Sequence, residues 1–262
     1  MPEGDVTALG LVLSLSLVAI AVALSARESL RLERDIVVAV LRSVVQLLIV
    51  AAGLTLVVKD GTPLAWSWLW VAGIVLFAAS TTARRAGAMP GVFLIGLAAN
   101  AATASVALGL TFGLGVFPLE GRTLVPVAGM VIGNSMKSCV VVVQLLAEQV
   151  ADRRDEIEAR LALGLTSSAA IRPVVRHALR IAISPLIENV RALGIVFLPG
   201  AMTGLILAGV DPLDAVLVQL ALMYIILGAV ALTASATALM GARRLFTADH
   251  RLLRLARSTR DT

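Results

Sequence analysis

One cysteine, two histidines and one tyrosine in 262 residues leave few of the groups that usually carry chemistry. Cys139 alone cannot close an intrachain disulfide and forms no CxxC or zinc-ribbon spacing. Neither His177 nor His250 falls in an apolar run or near a carboxylate pair, so a membrane-embedded enzyme lacks its usual parts. No G-x-x-x-x-G-K-[ST] phosphate loop occurs, which excludes ATP hydrolysis by that route within this chain. Charge is scarce too: Asp, Glu, Lys and Arg make up 15% of the residues, against about 25% in soluble domains. What fills the space is 59% hydrophobic, with only 4% aromatic, and the mean hydropathy is +0.95. So much aliphatic surface needs lipid as its solvent. Met1 to Asp5 is acidic and no cleavage site follows the first apolar run, so that run reads as a retained helix rather than a signal peptide.

A spanning helix takes about 20 mostly apolar residues. Such runs fall at Val6–Ala26, Ile36–Val58, Leu64–Ala83, Val92–Phe117, Thr123–Ala147, Ile181–Gly209 and Ala215–Gly241. The reading is an all-α, polytopic integral membrane protein of about seven transmembrane helices, a single transmembrane domain over residues 1–262. Basic residues test the count. The odd gaps and the tail hold Arg27, Arg31 and Arg34; Arg84 and Arg85; Arg153, Arg154, Arg160, Arg172, Arg176 and Arg180; and Arg243, Arg244, Arg251, Arg254, Arg257 and Arg260. The even gaps hold only Lys59 and Arg122, beside Asp60, Glu120, Asp211 and Asp214. The positive-inside rule then puts the N-terminus outside and the C-terminus in the cytoplasm. The formal charge of +5 is spread between apolar runs, without a basic patch interleaved with aromatics, so nucleic acid is not an expected partner.

Polar groups inside spans are expensive and normally face a bundle interior, a cavity or an interface. In span two, Arg42 and Gln46 share a helical face with Ile49 and Gly53, either packed inward with the arginine reaching toward the membrane surface or lining a route. Span five carries Pro126-Val-Ala-Gly-Met-Val-Ile-Gly-Asn-Ser-Met-Lys137, in which Met130, Gly133, Asn134 and Lys137 recur on one face. Met136 and Cys139 stand on adjacent faces. Loosened backbone of this kind is tolerated where it is buried in protein or lines a cavity. Thioether sulfur suits transition metals and Asn offers a harder oxygen, while Lys137 repels a cation unless paired. Span six is expected to break twice, at Pro185 just before Glu188 and Arg191, and at Leu198-Pro-Gly-Ala-Met-Thr-Gly204. The second break either offers backbone groups to a substrate or serves close packing through Gly200 and Gly204.

The longest gap, about 148–180, turns amphipathic. Two short cytoplasmic helices are expected there, meeting at Gly164, the second capped by Thr166 or Ser167. Such a pair either docks a partner or simply joins two spans.

Glu158-Ala159-Arg-Leu-Ala-Leu-Gly164 resembles a loose form of the cytoplasmic loop by which ABC importer permeases grip their ATPase. Nearly the whole chain resembles the FetB-like ABC transporter permeases. The motifs are Arg42-Ser-Val-Val-Gln46-Leu, Pro126-Val-Ala-Gly-Met130-Val-Ile-Gly-Asn134-Ser-Met136, Leu163-Gly164-Leu-Thr166 and Leu198-Pro-Gly-Ala-Met-Thr-Gly-Leu-Ile-Leu-Ala-Gly-Val-Asp-Pro212. The resemblance implies a non-enzymatic permease in the bacterial inner membrane, exporting iron or a related metal ion. It also implies similarity to plant half-transporters tied to aluminium tolerance. The expected partners are a separate ATP-binding subunit, which carries the ATP and Mg that this chain does not bind, and a second copy of the permease.

On that reading Arg42, Gln46, Met130, Asn134, Met136, Glu188 and Met202 border the substrate route. Met130, Met136, Glu188 and Met202 are the metal-ligand candidates, and Glu158, Ala159, Gly164 and Thr166 couple to the ATPase. The alternative is a gradient-driven carrier needing no ATPase, with Arg42, Lys137 and Glu188 as a buried charge relay.

Overall fold

The computed structural model describes residues 8–57, 62–86, 89–195, 198–247, 249 and 251–253. Lys59, Asp60, His250, Arg254, Arg257 and Arg260, used above to read topology and chemistry, lie outside them. Among the described residues the chain is helical, with one isolated antiparallel bridge, Phe246 to Leu252. It divides into two units, Met1–Thr62 and Pro63–Thr262.

The first unit holds α1 (Ala8–Arg27) and α2 (Glu33–Val57). Their connection is tied by Ser25, whose hydroxyl donates to Glu33 (2.8 Å) and accepts from the Leu32 amide (3.1 Å).

The second unit holds α3 (Leu64–Arg85), α4 (Val92–Gly113), α5 (Gly121–Asp152), α6 (Arg154–Ala162), α7 (Ser167–Ala192), α8 (Gly200–Leu207) and α9 (Pro212–Arg244). Local signals set the ends. Thr166 caps α7, accepting from the Ala169 amide at 3.3 Å, and Asp211 caps α9, accepting from Leu213 at 2.9 Å with Pro212 in the first turn. Gly91 opens α4 at φ 72°, a left-handed conformation that strains any residue with a Cβ.

Among the described residues five helical stretches are long and apolar enough to cross a bilayer: Glu33–Thr55, α3, α4, α5 and α9; Leu15–Arg27 is a shorter apolar stretch. The chain is a polytopic all-α membrane protein. The span expected at Ile181–Gly209 is not one helix. Its first part is the end of α7, the chain then leaves helical geometry after Ala192, and α8 resumes at Gly200.

Pro199 thus ends the gap as expected, but Pro185 does not break α7, which runs through both Pro173 and Pro185. The Ser184 hydroxyl donates to the Arg180 carbonyl at 2.7 Å, while the carbonyl that Pro185 leaves without an N–H partner is that of Ile181. Nor does a second short helix follow Gly164. The expected short helix and the start of span six are one 26-residue rod.

At 1.5 Å per residue, α5 and α9 run about 48 and 50 Å, against roughly 30 Å of hydrocarbon. α5 sits among α3, α4, α7 and α9. Its first half packs Leu124, Ala128, Val131 and Ile132 against Val71, Val75, Leu108, Leu222 and Ile226. Its second half packs Val142, Val143, Leu146 and Val150 against Ile157, Ile171, Val174 and Leu245. Lipid tails are as apolar as leucine, so close approach matters more here than apolarity. Small residues supply it: Ala78, Ala79 and Ala99 are fully buried, and a Cβ on Gly96 would lie 3.3 Å from Thr82 Cβ. Exposed Trp66 and Trp68 begin α3 and Arg84 and Arg85 end it, an interfacial aromatic anchor at one end and a basic cluster at the other.

Candidate functional site

α5 presents one face that no neighbour in its unit covers. At Gly129 and Gly133 nothing lies within 4 Å of where a Cβ would stand. Met130 and Asn134 beside them are half-buried, and Pro126, Lys137, Gln144 and Glu148 are exposed. Asn134 donates one of its two amide N–H groups to the Met130 carbonyl at 2.8 Å, while its amide oxygen has no partner among the described residues. Pro126 supplies no N–H to the turn before it. The expected face of span five therefore exists, and it is open.

Depth makes this costly. The Gln144 side chain donates to the Arg85 carbonyl at 3.0 Å, which sets Gln144 level with the basic end of α3. Lys137 lies seven residues earlier, about 10 Å down the helix. A charge at that depth costs up to a few kcal/mol against lipid. The face needs protein or water over it.

The other expected route residues are not gathered with it. Met136, like Met130, is half-buried and packs against the core around Ile132 and Leu222, but from an adjacent face of the helix. Met202 is half-buried on α8. Glu188 and Arg191 pair at 2.8 Å, both exposed, near the end of α7. Arg42 and Gln46 share an exposed face of α2 in the first unit. Among the described residues there is no group of three or more His, Cys, Asp or Glu able to hold a metal ion.

The residues expected to couple form a compact structure. Glu158 pairs with Arg154 at 2.6 Å, and Ala159 sits exposed on the same short helix. Gly164 ends α6 in the left-handed region, φ 84°, its amide donating to Leu161 O while the Leu165 amide donates to Arg160 O. Leu163 and Leu165, 80% and 40% exposed, flank that glycine, and Thr166 then starts α7. This is a tight, apolar-tipped elbow.

Two features escaped the sequence reading. Arg154 donates from Nη1 to the Leu253 carbonyl (3.0 Å) and from Nη2 to the Leu252 carbonyl (3.1 Å). Its fork pins α6 to the hairpin that follows α9, where Phe246 pairs with Leu252 and the Leu253 amide donates to Leu245 O at 2.8 Å. Nothing in the local sequence announces a partner nearly a hundred residues away. The second feature is a set of buried hydroxyls between helices. Thr233 donates to Thr103 at 2.7 Å and Thr237 to Cys139 Sγ at 3.2 Å. Small polar residues four apart in an apolar helix, as at Thr233 and Thr237, are the signal that could have found it.

The "Uncharacterised protein family (UPF0014)" model matches residues 8–246. The chain belongs to the UPF0014 family. UPF0014 membrane protein STAR2 of rice is 38% identical over 214 residues, covering 82% of this chain and 75% of its own. UPF0014 membrane protein YjkA of Bacillus subtilis is 34% identical over 242 residues, 92% and 96% of the two chains. The probable iron export permease protein FetB of Escherichia coli K12 is 29% identical over 254 residues, 97% of each. No solved structure matches. UPF0014 membership and the apolar helices agree on a multi-pass membrane protein.

Proposed function

We propose that this UPF0014 protein is the membrane-spanning permease subunit of an ATP-driven exporter in the bacterial inner membrane, and that its cargo is iron or a related metal ion. The observation that carries the reading is the open polar face of α5, which at its depth must be covered by protein or water. A second copy facing the first across Gly129, Met130, Gly133 and Asn134 would enclose a route lined by thioether sulfur and amide oxygen, ligands a transition-metal ion accepts. The cargo assignment leans on the name of the FetB relative and on that ligand chemistry.

In this reading a separate ATP-binding subunit, holding ATP and Mg, docks on the elbow at Leu163–Thr166, with the basic end cytoplasmic. The elbow is joined to the membrane region twice. α7 is one rod from Ser167 to Ala192, so a push at Gly164 reaches the level of Glu188 and Arg191. Arg154 carries the same push to the hairpin beyond α9. ATP-driven closure would thus move α7 and α9 against α5.

Purified protein in vesicles, with and without its ATP-binding subunit, tests this through ATP-dependent movement of ferrous iron. Export needing both subunits and ATP is expected. Export by this chain alone, driven by a proton gradient, would establish the gradient-driven carrier in its place.

A further inference from the structure

A groove of about 780 Å³ separates the start of α7 from the end of α9, at the basic end of the second unit. Its walls are apolar, with Val175, Leu239, Ala242 and Phe246 prominent, and its rim carries Arg172, Arg176 and Arg243. A second hollow of about 410 Å³ shares Arg172 and Arg176 and adds Arg160, His177 and Arg180. No carboxylate lines either. Among the described residues none of Arg172, Arg176, Arg180 and Arg243 forms an ion pair, although Arg154, Arg160 and Arg191 all do. The rim therefore holds unmatched positive charge above an apolar trough.

We propose that this groove binds an anionic phospholipid, its phosphate held by Arg172, Arg176 and Arg243 and its acyl chains running down α9. Depth and continuity favour a lipid over an acidic protein segment. Leu146 lies against Gly241, close to the level where Gln144 meets the end of α3, so Arg243 stands at headgroup height. Leu239 sits one turn deeper and is 61% exposed. It closes an outward column on α9 with Tyr224 (61%) and Leu232 (39%), spaced by eight and seven residues along one face. The groove thus opens sideways onto apolar surface suited to acyl chains, which a soluble partner arriving from above would leave unused. Guanidinium forks match phosphate oxygens two at a time, and a zwitterionic lipid would bring its own ammonium into the same cluster. Pockets of basic residues between helices at a membrane surface suit such headgroups.

The test is a titration of the purified full chain in mild detergent, followed by native mass spectrometry. The probes are phosphatidylglycerol, phosphatidylcholine with the same chains, and glycerol phosphate, the headgroup without chains. Phosphatidylglycerol should bind at least about tenfold tighter than phosphatidylcholine. Arg172→Gln/Arg176→Gln/Arg243→Gln should remove that preference, whereas Arg84→Gln/Arg85→Gln, at the same end but outside the groove, should keep it. If the triple variant does not fold, Arg243→Gln alone gives the same arm with a smaller loss. Equal affinity for the two lipids overturns the proposal, as does equal loss in both arginine variants. Glycerol phosphate competing as well as the whole lipid would make this a free-phosphate site. A triple variant that keeps its lipid preference but no longer co-purifies with the ATP-binding subunit would make the groove a protein dock. Either result also overturns it.

Discussion

The two sides of α5 carry similar polar chemistry to different ends. On the inner side Ser135, Ser138 and Cys139 are buried among α3, α4 and α9, close to Thr82, Thr233 and Thr237. Their bonds stay within the bundle, Ser138 donating to the Ser135 carbonyl at 2.9 Å and Thr237 to Cys139 across helices at 3.2 Å, while the buried Ser135 hydroxyl has no partner among the described residues. On the outer side Met130, Asn134 and Lys137 line a face beside two glycines whose Cβ positions are open. The inner groups serve packing. The outer ones cost free energy in lipid with no return inside their own unit, which marks them for a partner chain or a route.

The sharpest way to break this comparison is to exchange effects between the faces. Ala128→Leu, on the sealed side where Ala128 is fully buried, should overpack the core by about 1–3 kcal/mol and lower the yield of folded protein. Gly133→Leu, on the open side, should leave thermal stability in detergent unchanged but abolish transport and pairing of two copies. Size-exclusion chromatography with light scattering and a thermal melt read both. If Gly133→Leu unfolds the protein as badly as Ala128→Leu, the open face is filled in the native chain and the comparison fails.

Next in size is the elbow. Gly164→Val places a β-branched residue at φ 84°, at a cost of roughly 1–2 kcal/mol confined to a surface turn. The bundle should still fold, but the ATP-binding subunit should no longer co-purify and transport should be lost. Retained co-purification would move the docking site elsewhere.

These contrasts also show what was legible in the sequence. The apolar runs other than Ile181–Gly209, the cap at Thr166, the end of a helix at Gly164 and the break before Gly200 all arise from local chemistry within a few residues, and they stand where the residues put them. The shared face of Met130, Gly133, Asn134 and Lys137 was readable from spacing, because helical period alone decides it. The continuity of α7 was not. A proline read in isolation signals a stop, whereas at Pro185 a single ladder bond is lost and the helix continues to Ala192. The pin at Arg154 depends on carbonyls of Leu252 and Leu253, and carbonyls carry no sequence signature.

That pin gives a smaller and more specific prediction. Arg154→Ala removes two bonds to main-chain carbonyls and the pair with Glu158. Docking of the ATP-binding subunit should persist, because the elbow at Leu163–Thr166 is untouched. Transport per ATP hydrolysed should fall several-fold, since the stroke would reach α7 but not the hairpin beyond α9. Arg154→Lys keeps the charge without the planar fork and should fall between the two. Parallel assays of ATP hydrolysis and iron movement separate this from a loss of docking, in which both would fall together.

The smallest effect belongs to the sealed face and tests whether its polar groups are structural only. Thr233→Val removes the hydroxyl that donates to Thr103 at 2.7 Å while keeping shape and burial. Hydrogen bonds between helices in membranes average about 0.6 kcal/mol, so the melting midpoint should drop slightly and transport should stay at the parent rate. If transport falls more than tenfold, about 1.4 kcal/mol of activation free energy, with the midpoint unmoved, then Thr103 and Thr233 belong to the route. The cargo would then pass between α4 and α9, on the sealed side of α5, and the open face would be left as the seam between two copies alone.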